Sequence, residues 1–368
     1  MALIDELDIK PAPDFERLRK ALLREGEPDR VPFYELFFDK PIKDHLLGKP
    51  CSLPIVLPVP GIEEQLENEI EIWYRLGFDY VELMPLLMLG SSSFKPSEDI
   101  APLDGGIRFW LNSHKGAGLA SRENFDKHHW HDPDNVDLGL FEWIVERLPE
   151  GMALVGQLEG VVESATWIMG YENIATAMVE DPELIKMVFD KVGSICLRMA
   201  ERLLELPRVG AIAQGDDMGH KTATLLSPRM MREYAFGWHK KIVETCHEKD
   251  VPYILHSCGQ VSAVMDDLIE DVGIDAKHSY EDIVTPVEEA KSRWGDRIAV
   301  LGGIDIDILS RGSVEDVKRR TREVLRKCAP GGGYALGSGN SVANYLKPEN
   351  YLAMIKEGWE NGTYPINI

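Results

Sequence analysis

The sequence predicts an α/β chain folded as a (β/α)8 barrel, and three observations carry that expectation. Eight short runs rich in β-branched and aromatic residues recur along the 368 residues, each is followed by a segment of helical period, and glycines gather just beyond several of the runs. Strict alternation of this kind argues for a parallel sheet with helical crossovers, and the count of eight favours closure. With 44% hydrophobic residues the chain can bury one large core, so residues 1–368 are read as a single domain.

The first run is Val31–Leu36, followed by a short helix near Pro41–Leu47; Phe78–Met84 is the second. Residues 87–135 then break the rhythm. Ser91-Ser-Ser93, Gly105-Gly106 and Ile107-Arg-Phe-Trp-Leu111 read there as a hairpin or loop inserted after strand two, where an excursion covers the barrel mouth. His128, His129 and His131 lie in it, and adjacent side chains cannot all face one ion, so a solvated loop is expected. Met152–Leu158 leads into helices across Val161–Leu206. Val209–Gln214 is followed by Ser227-Pro228, a cap and first-turn pair that starts a helix running to about Glu248. Pro252–His256 precedes Val261–Asp271, Asp275–His278 precedes Pro286–Arg293, Ile298–Leu301 precedes Val314–Lys327, and Tyr334–Leu336 precedes Pro348–Trp359.

Sixty-two acidic against 40 basic residues give a net charge of −22, a field that repels nucleic-acid backbones and anionic lipid surfaces. No run approaches the roughly 18 apolar residues of a membrane span, and the N-terminus lacks a basic-then-apolar leader. A cytoplasmic protein is expected. Five cysteines scattered through the chain (Cys51, Cys196, Cys246, Cys258, Cys328) do not form a disulfide framework.

The sharpest motif is His256-Ser-Cys-Gly259, directly after an apolar strand. Side chains alternate along a strand, so His256 and Cys258 share one face, which is how a strand presents two zinc ligands. Other strand ends are acid-rich: Glu35 and Asp39, Glu82, then Gln157, Glu159 and Glu163, then Asp216, Asp217 and His220, with His278, Glu281, Asp305, Ser338 and Asn340 closing the later strands. Such a mouth suits a divalent cation, a cationic substrate, or carboxyls held near neutral pKa for proton transfer.

Together these segments resemble the uroporphyrinogen decarboxylase superfamily, which includes zinc-dependent methyltransferases serving corrinoid proteins. The resemblance rests on Glu27-Pro-Asp-Arg-Val-Pro32, Gly215-Asp-Asp-Met-Gly219, Leu226-Ser-Pro228, Leu255-His-Ser-Cys-Gly259, Leu301-Gly-Gly-Ile-Asp305, Gly332-Gly-Tyr334, Gly337-Ser-Gly339 and Pro348-Glu-Asn350. It implies a (β/α)8 barrel and one of two activities. The decarboxylase branch carries an arginine-rich segment after the first strand to grip a polycarboxylate, whereas this chain reads Tyr34-Glu-Leu-Phe-Phe-Asp-Lys40.

The methyltransferase branch matches at His256 and Cys258, its zinc pair. Its third ligand aligns with Ser338, a poor ligand, so either a carboxylate among Glu159, Asp216, Asp217 and Asp305 supplies the third bond or the site is not a zinc site; Cys328 falls at the opposite rim. The resemblance thus implies zinc-dependent transfer of a methyl group from a small methoxy- or methylamine-type compound to a corrinoid carried by a partner protein. The alternative is decarboxylation of a porphyrinogen or a smaller acid. Asp216, Asp217 and Glu159 are the candidate acids; Glu35, Glu82, Gln157, Trp167, Asp305, Ser338 and Asn340 the candidate substrate contacts, with Trp110 a further packing surface. A homodimer is a candidate assembly.

Overall fold

In the computed structural model, described for residues 2–53, 59–85, 87, 89, 94–98, 101, 103, 107–111 and 115–368, seven parallel strands form one curled sheet of the TIM-barrel kind. They are β1 (Tyr80–Leu83), β4 (Ala153–Glu159), β5 (Val209–Gly215), β6 (Tyr253–His256), β7 (Ala276–His278), β8 (Ala299–Leu301) and β9 (Tyr334–Ala335), in that spatial order. Between β1 and β4 in sequence, β2 (Phe94–Glu98) and β3 (Ile107–Leu111) pair antiparallel. The Trp110 side chain lies outside the described set.

The expected first strand is not a full ladder. Val31–Leu36 meets the end of the sheet through one parallel bridge, Phe33 with Leu336, in which Tyr34 N–H donates to Leu336 O at 2.9 Å and Leu336 N–H to Pro32 O at 2.9 Å. Pro32 has no N–H to extend the pairing. On the other side a tyrosine fills the seam: Tyr80 Oη accepts from Glu35 N–H at 2.8 Å and donates to Glu35 O at 2.7 Å.

Register places the chemistry. Pairing of Glu159 with Gly215, Gly215 with His256 and His256 with His278 sets these four residues in one row across β4 to β7, all facing the interior. Lys277, one residue out of phase, faces the surrounding helices. Those helices follow the strands as expected; the 22-residue Pro182–Leu203, capped by Asp181, covers β4, and Val314–Cys328 begins with a Ser313–Asp316 capping box. Among the described residues no helix is long and apolar enough to cross a membrane.

Candidate functional site

Asp217, His256 and Cys258 converge at the open end of β5 and β6, with one ligand-type atom from each lying within 4.8 Å of the others. His256 Nε2 stands 3.4 Å from Cys258 Sγ and 3.7 Å from Asp217 Oδ1. A tetrahedral ion with donors at about 2.0–2.3 Å sets neighbouring donor atoms about 3.3–3.7 Å apart, so the triad matches zinc in donor chemistry, and the two distances from His256 match it in spacing.

Backbone packing fixes the geometry. Cys258 N–H donates to Asp217 Oδ1 at 2.9 Å, Met218 N–H donates to Ser257 Oγ at 3.0 Å, and Gln260 N–H donates to His220 O at 2.7 Å. The two loops touch so closely that a Cβ on Gly219 would fall 2.5 Å from Cys258 O, while Gly259 adopts φ +73°. Those glycines explain the Gly-Asp-Asp-Met-Gly and His-Ser-Cys-Gly motifs: each lets a ligand loop approach the other.

Behind the triad, His256 Nδ1 and His278 Nδ1 are 2.8 Å apart, and His278 Nε2 lies 3.2 Å from Ser338 O. Burial, then Lys277, pulls His256 down to about 3, so its ring is neutral, as a metal ligand requires. Burial and the Asp217 carboxylate push the Cys258 thiol well up in the metal-free protein; a cation would reverse that preference. Asn340 Nδ2 donates to Cys258 Sγ at 2.9 Å and to Glu281 Oε1 at 3.1 Å.

The triad opens on a cavity of about 340 Å³, walled by Leu36, Phe37, Met84, Leu158 and Trp167, with Gln157, Glu159, Glu163, Asn340 and Ser341 as its further polar residues. Gly215, without a side chain in the interior row, leaves the space in front of His256. No Lys or Arg lines it among the described residues. Burial, then the charges of Asp217, Asp216 and Glu159, holds Glu163 well above the usual carboxylate range. At the cavity wall Glu163 is therefore held towards its protonated form. Glu159 accepts from Leu89 N–H at 3.0 Å.

Several expected site residues have other work. Asp216 is fully buried, accepts from the backbone N–H groups of Val161, Val162 and Glu163 at 2.8–3.0 Å, and pairs with His239 Nε2 at 2.7 Å. It caps the helix Val161–Met169 and does not line the cavity. Asp305 likewise caps Ile306–Arg311, accepting from Asp307 N–H at 2.7 Å and Asp282 N–H at 2.8 Å. Ser338 turns away: its N–H and Oγ donate to Glu35 at 2.7 and 2.5 Å.

Glu35 and Glu82 are buried and do not line the cavity. Burial raises Glu35 to about 8 and Glu82 well above its ordinary value, which favours the protonated form of each. Asp39 accepts from Asn344 N–H at 3.0 Å. Cys328 is buried at a helix end, and among the described residues the His128, His129 and His131 run forms no metal group. Its rings pack pairwise instead, His128 with Trp130 and His129 with His131.

A family model described as uroporphyrinogen decarboxylase (URO-D) matches residues 119–358. The uroporphyrinogen decarboxylase of Hydrogenovibrio crunogenus is 23% identical over 190 residues, covering 50% of this chain and 51% of that protein. Its counterpart in Thioalkalivibrio sulfidiphilus is 29% identical over 136 residues, covering 36% and 37%. The chain thus spans about half the length, or less, of these curated relatives. A solved structure of a methyltransferase from Methanosarcina mazei has the same fold, with a TM-score of 0.68 and 19% identity over 95% of this chain and 99% of that one.

Proposed function

The chain belongs to the uroporphyrinogen decarboxylase family, and from that premise we propose that it is a zinc-dependent methyltransferase. Its methyl donor is a small methoxy- or methylamine-type compound, and its acceptor a corrinoid carried by a partner protein. The observation that carries this reading is the Asp217–His256–Cys258 triad opening on an apolar-walled cavity with no basic side chain among the described residues. Zinc held by these three residues would supply a Lewis acid at its open position.

The chain's own residues supply the rest. Trp167, Phe37, Leu36 and Met84 pack the organic part of the donor and keep water from it. Glu163, held towards its protonated form at the wall, is placed to give a proton to the heteroatom left when the methyl group departs, and Gln157 to orient that atom. Asn340, donating to Cys258 Sγ, favours the thiolate form.

The names of the curated relatives favour a second reading, decarboxylation, with Glu163 protonating the carbanion left by carbon dioxide. That reading lacks a described guanidinium or ammonium group to hold a carboxylate in the cavity. Zinc analysis of untagged protein separates the two. About one zinc per chain, lost in Cys258→Ser, supports the methyltransferase; a metal-free active protein removes its basis.

A further inference from the structure

We propose that His278 is a positioning residue that fixes the tautomer of His256, holding the proton on Nδ1 and aiming a bare Nε2 at Asp217 and Cys258. The inference rests on the metal reading of the triad, yet its first consequence is measurable in protein without metal.

The argument begins at a group that can only accept. Ser338 O, a backbone carbonyl, lies 3.2 Å from His278 Nε2, so that nitrogen carries a hydrogen. A neutral imidazole with its hydrogen on Nε2 has a lone pair on Nδ1. His256 Nδ1, 2.8 Å away, must then be the donor, which leaves His256 Nε2 without a hydrogen. That atom is the one 3.4 Å from Cys258 Sγ and 3.7 Å from Asp217 Oδ1.

The direction of donation is held by how tightly His278 is clamped. Its ring is fully buried, meets the Tyr34 ring edge-on at 5.2 Å between centroids, and abuts Gly302 so closely that a Cβ there would fall 2.8 Å from its Nε2. Gly302 takes φ +83°, so both its conformation and its missing side chain suit this contact. The ring therefore has no room to rotate away from the carbonyl. Ser338 is fixed in turn, its N–H and Oγ both given to Glu35. A serine at the position where the resemblance implies a third ligand thus contributes through its carbonyl, two hydrogen bonds behind the triad.

A metal-bound histidine commonly donates its second nitrogen to a carboxylate or carbonyl, and loss of that partner typically lowers metal affinity about 10–100-fold. Here a neutral imidazole takes the acceptor's place. It orients His256 without placing a negative charge beside it.

Nitrogen-15 NMR of histidine-labelled, metal-free protein tests this, with His256 assigned by the signal absent from His256→Gln. Expected are a protonated Nδ1 and an unprotonated Nε2 in the wild type, a shift towards the Nε2–H form in His278→Leu, and retention of the wild-type tautomer in His278→Gln, whose amide accepts from His256 and donates to Ser338 O. Zinc titration of the same proteins is expected to show about 10–100-fold weaker binding for His278→Leu and near-wild-type binding for His278→Gln. A wild-type His256 protonated on Nε2, or a tautomer unchanged in folded His278→Leu, overturns the assignment. If the tautomers follow expectation and the wild type binds no zinc, the positioning role stands and the metal reading fails.

Discussion

One oxygen of Asp217 faces two elements at once: Oδ1 accepts the Cys258 backbone N–H at 2.9 Å and stands 3.7 Å from His256 Nε2. The carboxylate at the end of β5 is thereby held against the loop after β6. In the proposed metal site this hydrogen bond to the backbone of its neighbour would preorganise Asp217 as a ligand.

Asp217→Asn keeps an oxygen to accept from Cys258 but removes the charge. Zinc affinity is expected to fall at least about tenfold, while the stability of the metal-free protein changes by no more than about 0.5 kcal/mol. Competition with a chromophoric chelator and urea unfolding read the two quantities separately. Equal zinc affinity in the variant would remove Asp217 from the ligand set.

Asp216, its neighbour, is expected to behave in the opposite way. Asp216→Ala would strand three buried N–H groups and His239, costing about 3 kcal/mol or more of stability. The folded fraction should retain its zinc. Urea denaturation checks the first part, and a stable Asp216→Ala protein would contradict the capping role.

How much of this is legible in the sequence differs from residue to residue. His256 and Cys258 can be placed on one interior face because strand alternation needs only the strand's own residues. Choosing between Asp216 and Asp217 needs the residue at which β5 ends, Gly215, and the direction of the chain beyond it; two adjacent acids look alike until one turns under a helix and the other into the cavity. Asp305 did carry a signal, an acid immediately before the helical run Ile306–Arg311, which reads as an N-cap.

The His256–His278 contact depends on cross-strand register, which sequence alone leaves open. Glu163 shows the same limit in another form. It is recognisable just beyond the run Met152–Leu158, but the preference for its protonated form follows from burial among Asp217, Asp216 and Glu159, groups more than 50 residues apart in part and brought together only by folding.

Glu35 makes stability depend on pH. Its folded-state value is raised to about 8 from an ordinary 4.5 by burial, so the native state holds a proton that the unfolded chain releases between those limits. Unfolding free energy is therefore expected to fall as pH rises from about 4.5 to about 8, by a few kcal/mol from this group. Glu35→Gln, an isostere of the protonated acid, should flatten that dependence and raise stability at pH 8. Urea unfolding at pH 5, 6.5 and 8 checks it; an unchanged slope would mean that Glu35 is ionised in the folded protein.

The central claim is tested most directly by incubating zinc-loaded protein anaerobically with cob(I)alamin and, in turn, methoxyaromatic compounds, methylamines and uroporphyrinogen, while recording the cobalamin spectrum and analysing the porphyrin products. The expected result is methylcobalamin from at least one methoxy or methylamine donor, abolished in Cys258→Ser, with uroporphyrinogen left intact. Decarboxylation of uroporphyrinogen, with no methylcobalamin formed from any donor, would contradict it.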